Sequence, residues 1–343
     1  MAPRSIPFRP RPPWFGGAMQ TLRALAWPLR AALPPGHRLW LPLPDGDALA
    51  AMLHFPEARP QAGPPVAVLV HGMAGGEEDP PLREAAAGLL RRGFPVLRLN
   101  LRGSPASRER STSHYHLGRS ADLADALAAL PEALAGPGLV LAGWGLGGAL
   151  VLNLLGSEAA RPGPPVLAAA AICPPLQPDL ALLAVDASPV FGRRLLALYR
   201  REVLAVPGAE LDEGLRQAAR RAHSLREFEA TVTAPRFGYP SYEVFVELNR
   251  PAAALPRIRV PTLLLMAADD PLVPAQSLDG IDWDGCPAVA PLLVQGGGHG
   301  GFYDRRRESL AVRAITAFFE GAAERAGALV QDVVPGAAGL AAD

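Results

Sequence analysis

Apolar residues in this chain fall into runs of two kinds. Val66–His71 is continuously apolar up to its last residue and follows Pro64-Pro65. Such a run reads as a strand buried on both faces, as in a parallel sheet. Phe94–Asn100, Leu139–Ala142, Val166–Ile172, Thr262–Ala267 and Ala288–Gln295 read the same way. Between them the period changes. Leu123, Leu127, Leu130 and Leu134 recur every three to four residues, which predicts a helix over Asp122–Leu134. Pro81–Arg92, followed by Gly93, Leu146–Gly156 and Arg306–Ala323 are further helices. Arg38–Leu43 and Ala48–His54 flank Pro44-Asp45-Gly46-Asp47, the signal of a hairpin.

The alternation of strand and helix breaks after Val166–Ile172. Residues 174–260 carry two charged helical stretches, about Gly192–Val206 and Asp212–Glu229, and little strand signal. The pattern predicts an α/β fold: a mostly parallel, doubly wound sheet covered by a helical cap insertion. Residues 1–37, rich in Pro, Arg and Trp, read as an extended N-terminal arm. The main domain is expected over 38–326, and the Ala- and Gly-rich residues 327–343 as a flexible tail.

Composition narrows the function. Basic and acidic residues balance at 33 each, so the formal net charge is zero. That speaks against a nucleic-acid binder that neutralises phosphates and against a polybasic membrane-surface protein. All 33 basic residues are Arg, which with abundant Ala, Pro and Gly reads as codon bias. Two cysteines, Cys173 and Cys286, make neither a disulfide framework nor a four-thiolate zinc site. Prolines and arginines interrupt every N-terminal apolar run, and no run is long enough to span a bilayer. A cytoplasmic protein is expected, with no cofactor and no metal.

The sharpest local signal is Val140-Leu141-Ala142-Gly143-Trp144-Gly145-Leu146-Gly147-Gly148. A strand ends, a glycine-spaced turn follows, and a helix begins. This is the frame of a nucleophile elbow, Gly-x-Ser-x-Gly, but the residue at its centre is Gly145. Residues 143, 145 and 148 also satisfy Gly-x-Gly-x-x-Gly. A dinucleotide site is disfavoured, because the unit lies far from the first strand and no acidic residue closes the next one.

The surroundings favour the elbow. His71-Gly72-Met73 follows the first buried strand, where a hydrolase places half of its oxyanion hole. The donors would be the backbone N–H groups of Met73 and Leu146. Asp269 and Asp270 follow Thr262–Ala267, and His299 follows the last strand. The order elbow, Asp, His is that of an α/β-hydrolase triad. Other candidates have plainer readings. Cys173 reads as a small buried hydrophobe, and as a substitute nucleophile only if its pKa is lowered. His114 and His116 form a His-x-His pair without an evident third metal ligand. Ser104 reads as a turn residue and Arg305–Arg307 as a solvated face.

These residues resemble the YheT-like branch of the α/β-hydrolases, from the N-terminal arm to the last helix. The similar blocks are Pro13-Trp14, Gln20-Thr21, His71-Gly72-Met73-Ala74-Gly75, Asn100-Leu101-Arg102-Gly103 and Tyr115-His116-Leu117-Gly118. Thr233-Ala234-Pro235, Asp269-Asp270-Pro271 and Gly298-His299-Gly300-Gly301-Phe302 continue the series. Ala18 stands where the family usually has His. The resemblance implies hydrolysis of carboxylic esters, with a small-molecule ester or acyl-type ligand. It carries the acid over to Asp270, with Asp269 as the other choice, and the base to His299. The family's elbow reads Gly-x-Ser-Leu-Gly-Gly; here Gly145 replaces the serine. Three readings stay open: an inactive or strongly impaired hydrolase, a residual hydrolase using water activated by His299 and Asp270, and a non-catalytic binder of an apolar acyl ligand. An interaction module working through the cap is a further class.

Overall fold

The structure, a computed structural model, describes residues 3–26, 31–57, 64–157, 163–207, 211–306 and 308–333. Nine strands form one sheet in the order β1-β9-β8-β7-β6-β4-β5-β3-β2. They are β1 (Arg4–Ile6), β2 (His37–Pro42), β3 (Ala48–His54), β4 (Val66–Val70), β5 (Val96–Leu99), β6 (Leu139–Trp144), β7 (Val166–Ile172), β8 (Thr262–Ala267) and β9 (Val289–Val294). The β2–β3 hairpin joins β5 antiparallel; every other neighbouring pair is parallel. This is an α/β-hydrolase-type doubly wound sheet. β4 pairs with β5 on one side and β6 on the other, so the winding reverses at β4. Crevices at such reversals, beyond the carboxyl ends of the strands, hold ligands in open α/β sheets.

Alternation along each strand divides the core into two layers. Val66, Val68 and Val70 of β4 join Leu139 and Leu141 of β6 on one face. Ala67 and Leu69 join Val140, Ala142 and Trp144 on the other. Helices Ser120–Ala128 and Leu146–Leu155 cover the first face. Helices Pro80–Arg91 and Leu310–Val333 cover the second through Leu82, Leu89, Ile315 and Phe319. Continuous burial of β4 and β6 on both faces explains their unbroken apolar sequence.

Several elements differ from the sequence pattern. The stretch expected as one helix over Asp212–Glu229 is broken into Glu213–Arg221, Leu225–Phe228 and a π-helical turn over Glu229–Thr233. The helix expected over Asp122–Leu134 ends at Ala128, and a short turn resumes at Glu132–Ala135. Pro131 between them has no N–H to donate and disfavours helix in the residue before it. The N-terminal arm is not simply extended: Arg4–Ile6 pairs with β9, and Gly16–Ala26 is helical. The C-terminal helix runs to Val333, into the segment expected to be tail, and the rest of that segment lies outside the described residues. Between β7 and β8 the described residues are helical. They include Pro178–Ala187 and Tyr242–Leu248, which the charge pattern does not reveal, beside Phe191–Leu204 and Glu213–Arg221.

Candidate active site

The centre of the site is a turn built by close approach. Gly145 sits between β6 and helix Leu146–Leu155 at φ 50°, ψ −118°. A positive φ of this kind strains any residue with a Cβ. A Cβ on Gly143 would lie 2.4 Å from the carbonyl of Gly147, so strand and helix meet only if these positions are bare. The elbow geometry is therefore complete without a nucleophile. A Cβ built on Gly145 would stand 3.0 Å from His299 Nε2.

His299 follows β9 in a glycine-rich loop. Its Nδ1 donates to Asp270 Oδ2 at 2.9 Å. The carboxylate of Asp270 is fully buried, and its Oδ1 accepts the N–H groups of Leu272 (2.8 Å) and Val273 (3.0 Å). Because a carboxylate only accepts, the neutral imidazole presents an unprotonated Nε2 toward Gly145. Burial alone would depress the imidazole pKa. The charge and hydrogen bond of Asp270 outweigh it, so the pKa lies above the ordinary value. Asp269 has a different contact: its Oδ1 accepts the N–H of Gly298 at 2.9 Å.

The loop that would supply the first oxyanion donor is fixed from behind. His71 is fully buried, and its Nε2 accepts the N–H of Leu101 at 3.0 Å. Its Nδ1 therefore carries the proton and donates to Gly72 O at 2.7 Å. Burial pushes its pKa down to about 4, so it is neutral near physiological pH. The N–H of Ala74, at φ 55°, donates to Tyr115 Oη (2.6 Å), which donates to Glu202 Oε2 (2.6 Å). These contacts fix the loop that carries Met73, which lines the same cavity as Gly145. Leu146 is the first residue of its helix, so its N–H lacks an intrahelical acceptor.

The N-terminal segment completes the site. Thr21 Oγ1 accepts the N–H of His299 at 2.8 Å. Gln20 Oε1 accepts the N–H of Tyr303 (2.8 Å), and its Nε2 donates to the carbonyls of Trp14 (2.7 Å) and Tyr303 (3.1 Å). Gln20 and Thr21 stand in the sequence as a resemblance block without a role. The structure gives them one: they hold the His299 loop.

A cavity of about 320 Å³ opens over this group. Gly145, His299, Met73 and Leu146 line one part of it. Val185, Phe191, Leu225 and Phe245 from the helical insertion line another, and Leu25 stands at its wall. The size suits a small ligand and the lining is mainly apolar.

Other candidates from the sequence take structural positions. Cys173 directly follows β7 and is fully buried, and burial followed by the charge of Asp270 pushes its thiol well above the ordinary range. It is therefore held as a thiol, and the condition for its acting as a nucleophile is not met. Its Sγ, an Asp270 oxygen and a His299 nitrogen all lie within 4.8 Å of one another. His116 packs against Phe237 with ring centroids 4.1 Å apart, and His114 against the same ring at 5.1 Å. Ser104 is buried in a turn closed by its N–H to Leu101 O. Arg305 and Arg306 are exposed; Arg307 lies outside the described residues.

Comparison with known proteins agrees with this architecture. The profile of the alpha/beta hydrolase fold matches residues 65–306, so the chain belongs to the α/β-hydrolase family. Within it the chain is of YheT-like type. It is 29% identical to YheT of Escherichia coli over 271 residues, 76% of this chain and 77% of that protein. It is 29% identical over 289 residues to medium-chain fatty acid ethyl ester synthase/esterase 2 of Saccharomyces cerevisiae, covering 74% of this chain but only 62% of the yeast protein. Among solved structures, 2,6-dihydroxy-pseudo-oxynicotine hydrolase aligns with a TM-score of 0.54 at 17% identity, over 90% of this chain and 71% of that one. The Pyrococcus furiosus esterase Pf2001 aligns with a TM-score of 0.50 at 15% identity, over 87% and 92%. These two speak to the fold. Among the described residues no helix is long and apolar enough to cross a membrane.

Proposed function

We propose that this chain keeps the ester-binding site of an α/β-hydrolase but has lost, or nearly lost, serine-dependent turnover. The observation that carries the reading is the bare Gly145 facing an intact His299–Asp270 pair. Acyl transfer by this route needs a side-chain nucleophile; His299 would serve as base, Asp270 would orient it, and the N–H groups of Met73 and Leu146 would bind the oxyanion. Removing the nucleophile from such a triad costs on the order of a million-fold in a model protease. The ligand class, an ester or acyl-type molecule, is supported by the mainly apolar cavity and by the esterase relatives. The sequence alone supports a cytoplasmic location.

One feature favours residual hydrolysis as a second reading. In the neutral form of His299, Nε2 carries no proton and faces the place where a nucleophile would stand. A water there would lose a proton to Nε2 as its oxygen bonds to the ester carbonyl carbon. Collapse of the adduct breaks the carbon–oxygen bond to the alcohol, which takes the proton back from Nε2, giving acid and alcohol. Oxyanion binding alone leaves about 10³–10⁴-fold acceleration over water in a related system.

The test uses purified protein, short and medium p-nitrophenyl esters and a fluorophosphonate label. The parent should not be labelled and should turn over slowly or not at all. Residual turnover that disappears in His299→Ala supports water attack; displaceable ester binding without turnover supports a binder. Fast, label-sensitive turnover by the parent would overturn both readings.

A further inference from the structure

The cavity has a polar feature far in sequence from the His299 pair. Glu229 opens a π-helical turn, Glu229–Thr233, within the helical insertion. Turns of this kind are rare and recur at functional sites. This one carries buried polar atoms without a well-formed hydrogen bond, Glu229 Oε2 and Thr233 Oγ1, although the Thr233 hydroxyl is near enough to lower the Glu229 carboxyl's pKa. Glu229 is only 4% exposed. A buried carboxyl oxygen left unpaired bears the full cost of desolvation.

Glu229 also lines the same cavity as Gly145 and His299. The cavity is otherwise lined mainly by apolar residues such as Leu225, Phe245 and Val246, with Asp79 and Arg194 the other ionisable side chains besides His299. A ligand seated at the imidazole pair therefore shares its cavity with Glu229, a carboxyl side chain with one unpaired oxygen. Burial pushes the Glu229 carboxyl up to about 7. Near neutral pH it is protonated much of the time, able to donate and to accept. A hydroxyl group matches both roles; a plain alkyl chain matches neither.

We infer that Glu229 determines ligand specificity, and that the cavity takes an ester bearing a hydroxyl group on its otherwise apolar body. This rests on the reading of the cavity as an ester site. The hydroxyl can sit on the acyl side or on the alcohol side, and the two sources are separable.

The experiment is displacement of a bound naphthalene-sulfonate fluorophore from the full chain. The acyl arm compares methyl octanoate with its mid-chain and terminal hydroxy derivatives. The alcohol arm compares hexyl acetate with the monoacetate of hexanediol. In at least one arm a hydroxylated ester should bind about tenfold tighter than its plain parent, the yield of one good hydrogen bond to a buried group. Glu229→Gln, which still donates and accepts, should keep most of that preference, and Glu229→Leu should abolish it. If plain and hydroxylated esters bind alike, or if the preference survives Glu229→Leu, the inference falls while the ester site stands. If no ester displaces the fluorophore, both fall.

Discussion

The backbone of Gly145 is aimed at His299: a Cβ there would stand 3.0 Å from Nε2. On the proposed reading, the His299–Asp270 pair faces a position that lacks only a side-chain nucleophile. Gly145→Ser should therefore create esterase activity, raising kcat/KM for a short acyl ester at least a hundredfold. Because φ at this position is positive, the same change should cost about 1–3 kcal/mol of stability. The imidazole must give by a few tenths of an ångström to admit the side chain. Denaturant unfolding and ester kinetics on one preparation check both effects. An inert but folded variant would show that more than the serine has been lost.

Asp270 raises the imidazole pKa, so any hydrolysis that uses neutral His299 as base should rise with pH. Its midpoint should lie above about 6.5, the ordinary imidazole value. In the Gly145→Ser background, Asp270→Asn should lower kcat by about 10⁴ and move the midpoint to lower pH. A pH–rate profile of both variants reads this directly.

Thr21 accepts a hydrogen bond from the backbone N–H of His299. Thr21→Val keeps the shape but removes the acceptor, a loss of about 1 kcal/mol for a hydrogen bond. In the Gly145→Ser background we expect kcat to fall by five- to tenfold with KM little changed.

Arg102 is buried and paired at both ends. It contacts Asp122 through Nε (2.7 Å) and Nη2 (2.9 Å), and Asp45 (2.8 Å) and Asp47 through Nη1. The network ties the hairpin turn to helix Ser120–Ala128. Arg102→Ala should destabilise the protein by about 3–5 kcal/mol, since it leaves buried carboxylates unpaired. The midpoint of urea unfolding measures this.

Glu229 gives a pH signature of the opposite sign to a salt-bridged acid. Its folded pKa of about 7 lies above the unfolded value of about 4.5. Between these values the unfolded chain has released a proton that the native state keeps, so stability falls as pH rises. Glu229→Gln should therefore gain stability relative to the parent across that window, with the gain levelling off above pH 7. Thermal unfolding at several pH values follows it.

The sheet was legible because strands buried on both faces cannot hide: β4 and β6 have no polar positions to blur the pattern. The elbow was legible because Gly143 and Gly147 are demanded by backbone contact, whatever stands between them. The resemblance carried the acid over to Asp270, and that is the residue whose carboxylate meets His299. What escaped was long-range. Nothing local marks Thr21 as the partner of a residue 278 positions away, or Tyr115 as the clamp on Ala74. The helix break at Pro131 was visible as a proline but overridden by the leucine period. Glu229 on the cavity wall stood at the end of an expected charged helical stretch, where a glutamate ordinarily faces solvent.

The bond between Thr21 and His299 also sets an order in time. At roughly 5–20 residues per second, synthesis separates the two residues by on the order of 15–55 s. Throughout that interval the helix Gly16–Ala26 has no loop to receive Gln20 and Thr21. The ribosome thus releases His299 long after the segment that holds it, and the site closes only once both have been made.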